Sequence, residues 1–143
     1  MKRDAESKKA FDVEQYWDAK GEIALYAKNY AGAVEYLARR DSVASAAIGS
    51  RALAEAYLWS GDKSRAIDIL EKNQMKYDQN RVFDGAYSVK GYYLLGCAYD
   101  EIGARNKARA ALEQFLTIWK DADPGIKEVE DTKARLTRLK AKS

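Results

Sequence analysis

Apolar residues recur at three- and four-residue spacing along most of this chain, and the clearest run lies in residues 91–115. Leu95 and Tyr99 are four residues apart, so they share one face of a helix. Gly103 then marks a helix end, because many helices close with a residue in the left-handed conformation that glycine adopts most easily. The apolar stripe resumes on a second helix at Ala108, Leu112 and Phe115. This stretch therefore predicts two helices joined by a tight turn.

The same pattern occurs twice more, nearer the N-terminus. When the copies are aligned on the small residue of the second helix, they centre on Ala33, Ala66 and Ala108, which are 33 and 42 residues apart. The longer interval places its additional residues in 76–87, which we interpret as a longer connection or as an extension of a neighbouring helix. A helical hairpin with coincidental small residues would explain one copy, whereas three copies at matching positions indicate a repeat.

These copies resemble the tetratricopeptide repeat, a helical hairpin of about 34 residues with small and aromatic side chains at fixed positions. The resemblance implies one domain, 1–143, that forms a right-handed superhelical stack of antiparallel helix pairs, with repeats at about 13–46, 47–80 and 88–122. The segment LTIWKDADP and the helix after it also resemble the last repeat of such arrays in bacterial signalling proteins, including serine/threonine kinases. The residues that carry the first resemblance are Trp17, Gly21, Tyr30, Ala33, Leu37, Leu53, Ala54, Tyr57, Gly61, Ala66, Leu70, Tyr92, Leu95, Gly96, Tyr99, Gly103, Ala108, Leu112 and Phe115.

The composition favours helix throughout, because the chain has one proline and many strong helix formers. We therefore predict an all-α fold of about seven helices. The first six are expected at about 11–28, 30–40, 43–60, 63–77, 83–102 and 105–119. Asp41 or Ser42 is the expected N-cap of the third helix, and Asp62 that of the fourth.

A seventh helix is predicted at 124–141, because Asp123 and Pro124 form an N-cap followed by a proline at the first helical position. Its apolar stripe suits a cap over the exposed end of a repeat array. A free amphipathic helix for a membrane or a partner is the alternative. Its basic residues are interpreted as a solvated face rather than a nucleic-acid patch: Lys133, Arg135, Arg138, Lys140 and Lys142.

Charge and cysteine content limit the classes of partner. The net charge is +3, with acids and bases nearly balanced, so strong field-driven binding to nucleic acid is not expected. Cys97 is the single cysteine, which suits a reducing compartment. No apolar run approaches the length of a membrane span, and we predict a cytoplasmic protein. An envelope-associated protein is the alternative if an export signal precedes this sequence.

Catalytic chemistry has few candidates in this sequence. There is no histidine, so the commonest general base and metal ligand is missing, and a Ser-His or Cys-His nucleophile cannot form. One cysteine without histidine does not make a usual structural zinc site. No phosphate-binding glycine motif is present. We expect a non-enzymatic protein without a cofactor or a metal.

The resemblance implies that the first helices of the repeats line a concave groove that binds a peptide or a helix of another protein. In a well-known subset of the family, Lys and Asn in the first repeat clamp a C-terminal carboxylate. Asp18 and Glu22 occupy those positions here, which predicts against that ligand and favours a segment with basic and apolar character. Trp59 could instead pack against a neighbouring repeat. The predicted groove residues are Gln15, Asp18, Glu22, Tyr26, Arg51, Glu55, Leu58, Trp59, Lys90, Tyr93, Cys97 and Asp100.

The function expected from these observations is a protein-interaction module or scaffold. Two alternatives stay open. One is a homodimerising assembly module, since the ends of a short array can pair. The other is a regulatory or accessory part of a larger enzyme such as a bacterial kinase.

Overall fold

The computed structural model describes residues 2–44, 49–75, 85–119 and 125–141. Within these ranges there are seven α-helices and no strand, which confirms the prediction of an all-α fold. Their bounds are α1 Lys2–Tyr26, α2 Tyr30–Val43, α3 Arg51–Ser60, α4 Lys63–Met75, α5 Gly85–Glu101, α6 Arg105–Ile118 and α7 Lys127–Ala141.

The chain divides into two compact units, and each is described by itself. Unit 1 is Met1–Lys72 and contains α1, α2, α3 and most of α4. Unit 2 is Asn73–Ser143 and contains the end of α4 with α5, α6 and α7. Of the predicted connection at 76–87, residues 76–84 lie outside the described residues, and residues 85–87 belong to α5.

The hairpins α1–α2, α3–α4 and α5–α6 turn at the same point of the aligned repeat. The residue five positions before each aligned alanine has a left-handed backbone: φ is 58° at Lys28, 109° at Gly61 and 76° at Gly103. At Gly61 this conformation lets the N–H group bond back to the carbonyl of Tyr57 at 3.1 Å. The alanines that follow are fully buried in all three hairpins: Ala33, Ala66 and Ala108.

The residue after each turn stands at the N-cap position, directly before the second helix of the hairpin. The Asn29 side chain accepts a hydrogen bond from the Gly32 N–H at 3.1 Å. The Asp62 side chain accepts from the Arg65 N–H, also at 3.1 Å, so the prediction of Asp62 as an N-cap is confirmed. Ala104 takes this position in the third hairpin and makes no side-chain cap.

A close contact between the two helices is repeated in the first and third hairpins. A methyl group added at Gly21 would overlap Cγ and Cδ2 of Leu37, and one added at Gly96 would overlap the same atoms of Leu112. Both leucines are fully buried. The small residue on the first helix therefore makes room for a branched side chain from the second.

The third helix begins later than predicted. Helix α2 continues through Val43, and α3 begins only after Ser50, whose side chain accepts from the Leu53 N–H at 3.2 Å. The prediction that Asp41 or Ser42 caps the third helix is therefore wrong, since both lie inside α2. The Asp41 side chain is buried and accepts the Ser50 N–H at 2.7 Å, so it fixes the entry to α3 from the preceding helix.

Helix α7 packs within unit 2 through an apolar stripe. Val129, Leu136 and Leu139 are buried, together with Thr132, whose hydroxyl donates to the Glu128 carbonyl at 2.6 Å. The helix begins three residues later than predicted, after Gly125 with φ of 93°. The predicted start signal, Asp123 and Pro124, lies outside the described residues.

Candidate functional site

The twelve predicted groove residues differ widely in exposure, and eight of them belong to unit 1. Those on α3 are mostly covered. Arg51 Nη1 lies 2.9 Å from Glu55 Oε2, and both side chains are less than one-fifth exposed. Leu58 is 1% exposed, whereas Trp59 is half-buried. On this helix, Trp59 is the predicted residue that offers accessible apolar surface.

Three of the predicted residues on α5, Tyr93, Cys97 and Asp100, face helix α7 inside unit 2. Tyr93 is buried and its hydroxyl donates to Asp131 Oδ2 at 3.0 Å. Cys97 is also buried, and Lys90 is half-buried. Asp100 Oδ2 accepts from Arg135 Nη1 at 2.8 Å and also pairs with Arg138. This face of α5 is thus covered by the chain's own last helix.

The electrostatics of this cluster oppose nucleophilic chemistry. Burial raises the pKa of the Cys97 thiol to about 11. Burial, with the neighbouring thiol, also raises the pKa of the Tyr93 hydroxyl. For Arg135, burial lowers the pKa, but the hydrogen bonds to Asp131 and Asp100 and the nearby negative charges together outweigh it, so the pKa is raised. Cys97 and Tyr93 therefore stay protonated at neutral pH, which makes them poor nucleophiles and bases.

The predicted residues on α1 are the most accessible of the set. Gln15 and Glu22 are exposed, and Tyr26 is 94% exposed. Asp18 is half-buried because its Oδ1 pairs with Nε of Arg40 at 3.4 Å. Arg40 belongs to α2, and it also contacts carboxylates at Glu14 and Asp41, so this cluster ties α1 to α2.

The sequence reasoning missed further exposed apolar residues on α1, and two of these are Tyr16 and Ile23. Tyr16 is 51% exposed and Ile23 is 68% exposed. With Ala19 and Tyr26 they form a row at spacings of three and four residues, on the side of the helix away from buried Gly21 and Ala24. We name this row, Tyr16, Ala19, Ile23 and Tyr26, the α1 outer face. Asp12 precedes Tyr16 by one turn on the same side, and Glu22 borders Ile23.

A sequence signal for this row exists, although it is weak. Helix α1 carries apolar residues on both sides, so it has almost no net amphipathic character. A surface helix normally concentrates apolar residues on the packed side alone. An apolar second side on such a helix therefore indicates a surface that could be covered by something else.

An aromatic cluster joins α1 to α2 beside this face. The ring centroids of Tyr16 and Trp17 are 4.9 Å apart, and Trp17 stacks on Tyr36 at 5.9 Å. Lys20 Nζ lies over both tyrosine rings, 5.1 Å from the centroid of Tyr16 and 5.2 Å from that of Tyr36. The Arg39 guanidinium lies over Trp17 at 5.0 Å. A hydrogen bond with Tyr16 is the largest effect that raises the pKa of Lys20. We name Tyr16, Trp17 and Tyr36 the aromatic cluster.

Other sites for chemistry are sparse in the described part of the chain. No group of three side chains there is placed to hold a metal ion. None of its helices is both long and apolar enough to cross a membrane. Unit 2 has an open hollow of about 340 Å³, but its walls include the Asp100–Arg138 ion pair and no nucleophile next to a base: Asp100, Glu101, Gly103, Arg105, Arg138 and Leu139.

Comparison with protein-family models, with curated proteins and with solved structures gives no match for this chain. The resemblance to tetratricopeptide repeats therefore rests on the aligned residues.

Proposed function

We propose that this chain is a non-catalytic interaction module that binds an amphipathic helix or an apolar peptide segment of a partner protein along the α1 outer face. The observation that carries the proposal is a row of three large apolar side chains on one helix, Tyr16, Ile23 and Tyr26, which are 51%, 68% and 94% exposed. Single exposed apolar residues are ordinary, whereas a contiguous row is typical of an interaction surface.

The spacing of the row suits a helical partner. Residues three and four apart form a continuous ridge, and a partner helix can pack its own grooves against such a ridge. Tyrosine contributes a large contact area with few rotatable bonds, and aromatic residues are enriched at interface cores. Burial of such side chains stabilises a complex by about 25 cal/mol for each Å² of apolar surface removed from water.

The charges around the row indicate the chemistry of the partner. Asp12 and Glu22 place carboxylates at one end and along one edge of the α1 outer face. These charges attract lysine or arginine and repel an acidic tail or a C-terminal carboxylate. The proposed partner segment is therefore apolar on one side, with basic residues at its edge.

The repeated hairpin geometry favours the same class of function. Stacked helical hairpins present the faces of successive first helices as a binding surface, as tetratricopeptide repeats do. Among the predicted groove residues of unit 1, those with surface available to a partner are Gln15, Asp18, Glu22, Tyr26 and Trp59. We also propose that the chain serves as a scaffold in a larger assembly and that its binding surface is a concave groove.

Affinity capture with matched variants tests the proposal. The baits are the wild-type chain, an Ile23→Gln/Tyr26→Gln double variant, and a Met75→Gln control on α4, where Met75 is 82% exposed. A partner should be retained by the wild type and the control and lost by the double variant. With the purified partner, the double variant should bind at least roughly tenfold more weakly, as expected when two interface anchors are truncated.

Helicity and sedimentation complete this test. All three substitutions lie at exposed positions, so circular dichroism should show unchanged helix content. Equal retention of the partner by all three baits would place the interface elsewhere and overturn the proposal. A wild type that sediments as a dimer, with a monomeric double variant, would instead make the α1 outer face a contact between two copies.

A further inference from the structure

We infer that the cleft between Tyr16 and Tyr36 binds a quaternary ammonium group, and that Lys20 is the chain's own occupant of this cleft. The inference stands on the aromatic cluster and does not depend on the proposed partner interface. It adds a ligand class, an alkylated ammonium cation, that neither the resemblance nor the α1 outer face implies.

The geometry of Lys20 shows where a cation sits. Its Nζ atom lies 5.1 Å from the centroid of Tyr16 and 5.2 Å from that of Tyr36. Both distances fall within the range of about 6 Å at which an aromatic face attracts a cation. The two rings come from different helices, Tyr16 from α1 and Tyr36 from α2, so both helices contribute an aromatic face within reach of one position.

The walls of the cleft are held by other contacts. Trp17 stacks on Tyr36 at 5.9 Å and meets Tyr16 edge-on at 4.9 Å, so it connects both walls. The Arg39 guanidinium also lies over Trp17, 5.0 Å from its ring centroid. Removal of Lys20 would therefore leave two tyrosine rings supported by a third aromatic side chain.

The charge around the cleft also suits a cation. Glu35 is close enough that its charge helps raise the pKa of Lys20. The Glu35 carboxylate shares its charge with Arg39, since Arg39 Nη2 lies 3.0 Å from Glu35 Oε1. The field at the cleft thus combines aromatic faces with a partly neutralised carboxylate, while Lys20 is the cation that an incoming group must replace.

A quaternary ammonium is better suited than a primary one to replace Lys20. A primary ammonium such as the lysine head group is compact and strongly hydrated. A trimethylammonium group spreads its charge over methyl groups, so it loses less hydration and its methyl groups touch the rings, as in known aromatic cages. Lys20 is exposed, and its long side chain can turn outward into water without unpacking a helix.

The inference is tested by titration of choline chloride, followed by the NMR signals of the tyrosine rings. The proteins are the wild type, Lys20→Ala, and a Lys20→Ala/Tyr36→Leu double variant that keeps an apolar contact with Trp17 but removes one aromatic wall. Lys20→Ala should bind choline about fivefold more tightly than the wild type, because it removes a competing cation. The added Tyr36→Leu change should reverse this gain.

A neutral isostere separates cation binding from simple apolar contact. The compound 3,3-dimethyl-1-butanol has the shape of choline without its charge, so it should bind Lys20→Ala at least roughly fivefold more weakly than choline does. Equal binding of the two compounds would overturn the inference. Absence of any choline shift in Lys20→Ala up to about 100 mM, with unchanged helicity, would also overturn it.

The source of the ammonium group is distinguished by two further probes. Free trimethyllysine and a short apolar peptide that contains trimethyllysine carry the same cation. Tighter binding of the peptide, by roughly tenfold, would identify a protein side chain as the ligand, because only a peptide also reaches neighbouring apolar surface. Equal binding of the two probes would identify a small molecule. The Met75→Gln variant should bind all the probes as the wild type does.

Discussion

Lys28 takes the place that glycine has in the other two repeats, yet its backbone adopts the same left-handed conformation. In the later hairpins the equivalent positions are Gly61 and Gly103, with φ of 109° and 76°, and Lys28 has φ of 58°. For a residue with a Cβ atom the left-handed conformation costs about 1–2 kcal/mol, and glycine does not have this cost because it has no Cβ atom. The first hairpin therefore closes at a cost that the other two do not carry.

The variant Lys28→Gly is expected to raise the free energy of unfolding by about 0.5–1 kcal/mol. Relief of the left-handed backbone favours the folded chain, and the greater freedom of glycine in the unfolded chain offsets part of that gain. Urea denaturation followed by circular dichroism measures the difference. Gly61→Ala is the matched control and should lower stability by about 1 kcal/mol or more, since φ is 109° there. A loss of stability in Lys28→Gly would mean that contacts of the lysine side chain outweigh the backbone cost.

Residue identity predicted some local features and not others. Glycine at positions 61 and 103 signals a helix end by itself, and Asp62 signals an N-cap, because both depend only on near neighbours in sequence. Lys28 gives no such signal, since its conformation is imposed by the closure of the hairpin. Asp41 also misleads, because a carboxylate suits either an N-cap or a helix interior, and only the position of Ser50 decides between them.

At the scale of elements, helix α7 decides which predicted residues can meet a partner. The alignment gave Gly96 and Leu112 the same repeat positions as Gly21 and Leu37, and in the structure both pairs meet between the two helices of a hairpin. It gave no information on the charged side chains of α7, which were interpreted as solvated. In the structure Arg135 is only 17% exposed and pairs with Asp100 and Asp131, so this side of α7 covers α5.

The cluster between α5 and α7 predicts a loss of stability at alkaline pH. The Cys97 thiol has an ordinary pKa of 9.0, and in the folded chain its pKa is about 11. Between these values the unfolded chain has lost a proton that the folded chain keeps, so unfolding becomes more favourable as pH rises. Stability should be fully retained below pH of about 9 and then fall by up to about 1.4 kcal/mol for each pH unit. Tyr93 adds to the loss at still higher pH, because its pKa is also raised.

Urea denaturation at pH values of about 7, 9 and 10 measures this dependence, with Cys97→Ala as the comparison. The variant loses some stability at every pH because a buried side chain is shortened, but its decline above pH of about 9 should be shallower than that of the wild type. Parallel declines would show that the thiol does not contribute. The same burial predicts that a thiol reagent at neutral pH labels Cys97 only when the surrounding helices open.

At the scale of the whole molecule, charge pairing matters more than the net charge of +3. Basic residues on several helices have carboxylate partners, as Arg40 has in unit 1 and Arg135 and Arg138 have in unit 2. Each such pair reduces the positive field available to a polyanion. The sequence predicted the balance of charge, while only the structure shows which arginines are neutralised by neighbours.

We expect the protein not to bind duplex DNA, even in dilute salt. Affinity for DNA without sequence preference comes from cations that replace the counterions of phosphates, and it reaches roughly 1–100 µM when a basic surface is present. On α7 the two arginines named above are paired, which leaves Lys127, Lys133 and Lys140 as the other exposed cations on that helix. Fluorescence anisotropy with a labelled duplex of about 20 base pairs in about 50 mM salt should give a dissociation constant weaker than about 100 µM.

The variant Glu130→Lys, which adds two units of positive charge at an exposed position of the same helix, should bind more tightly and with a steeper dependence on salt. Micromolar binding by the wild type that weakens steeply with added salt would contradict this expectation and would make α7 a phosphate-binding surface.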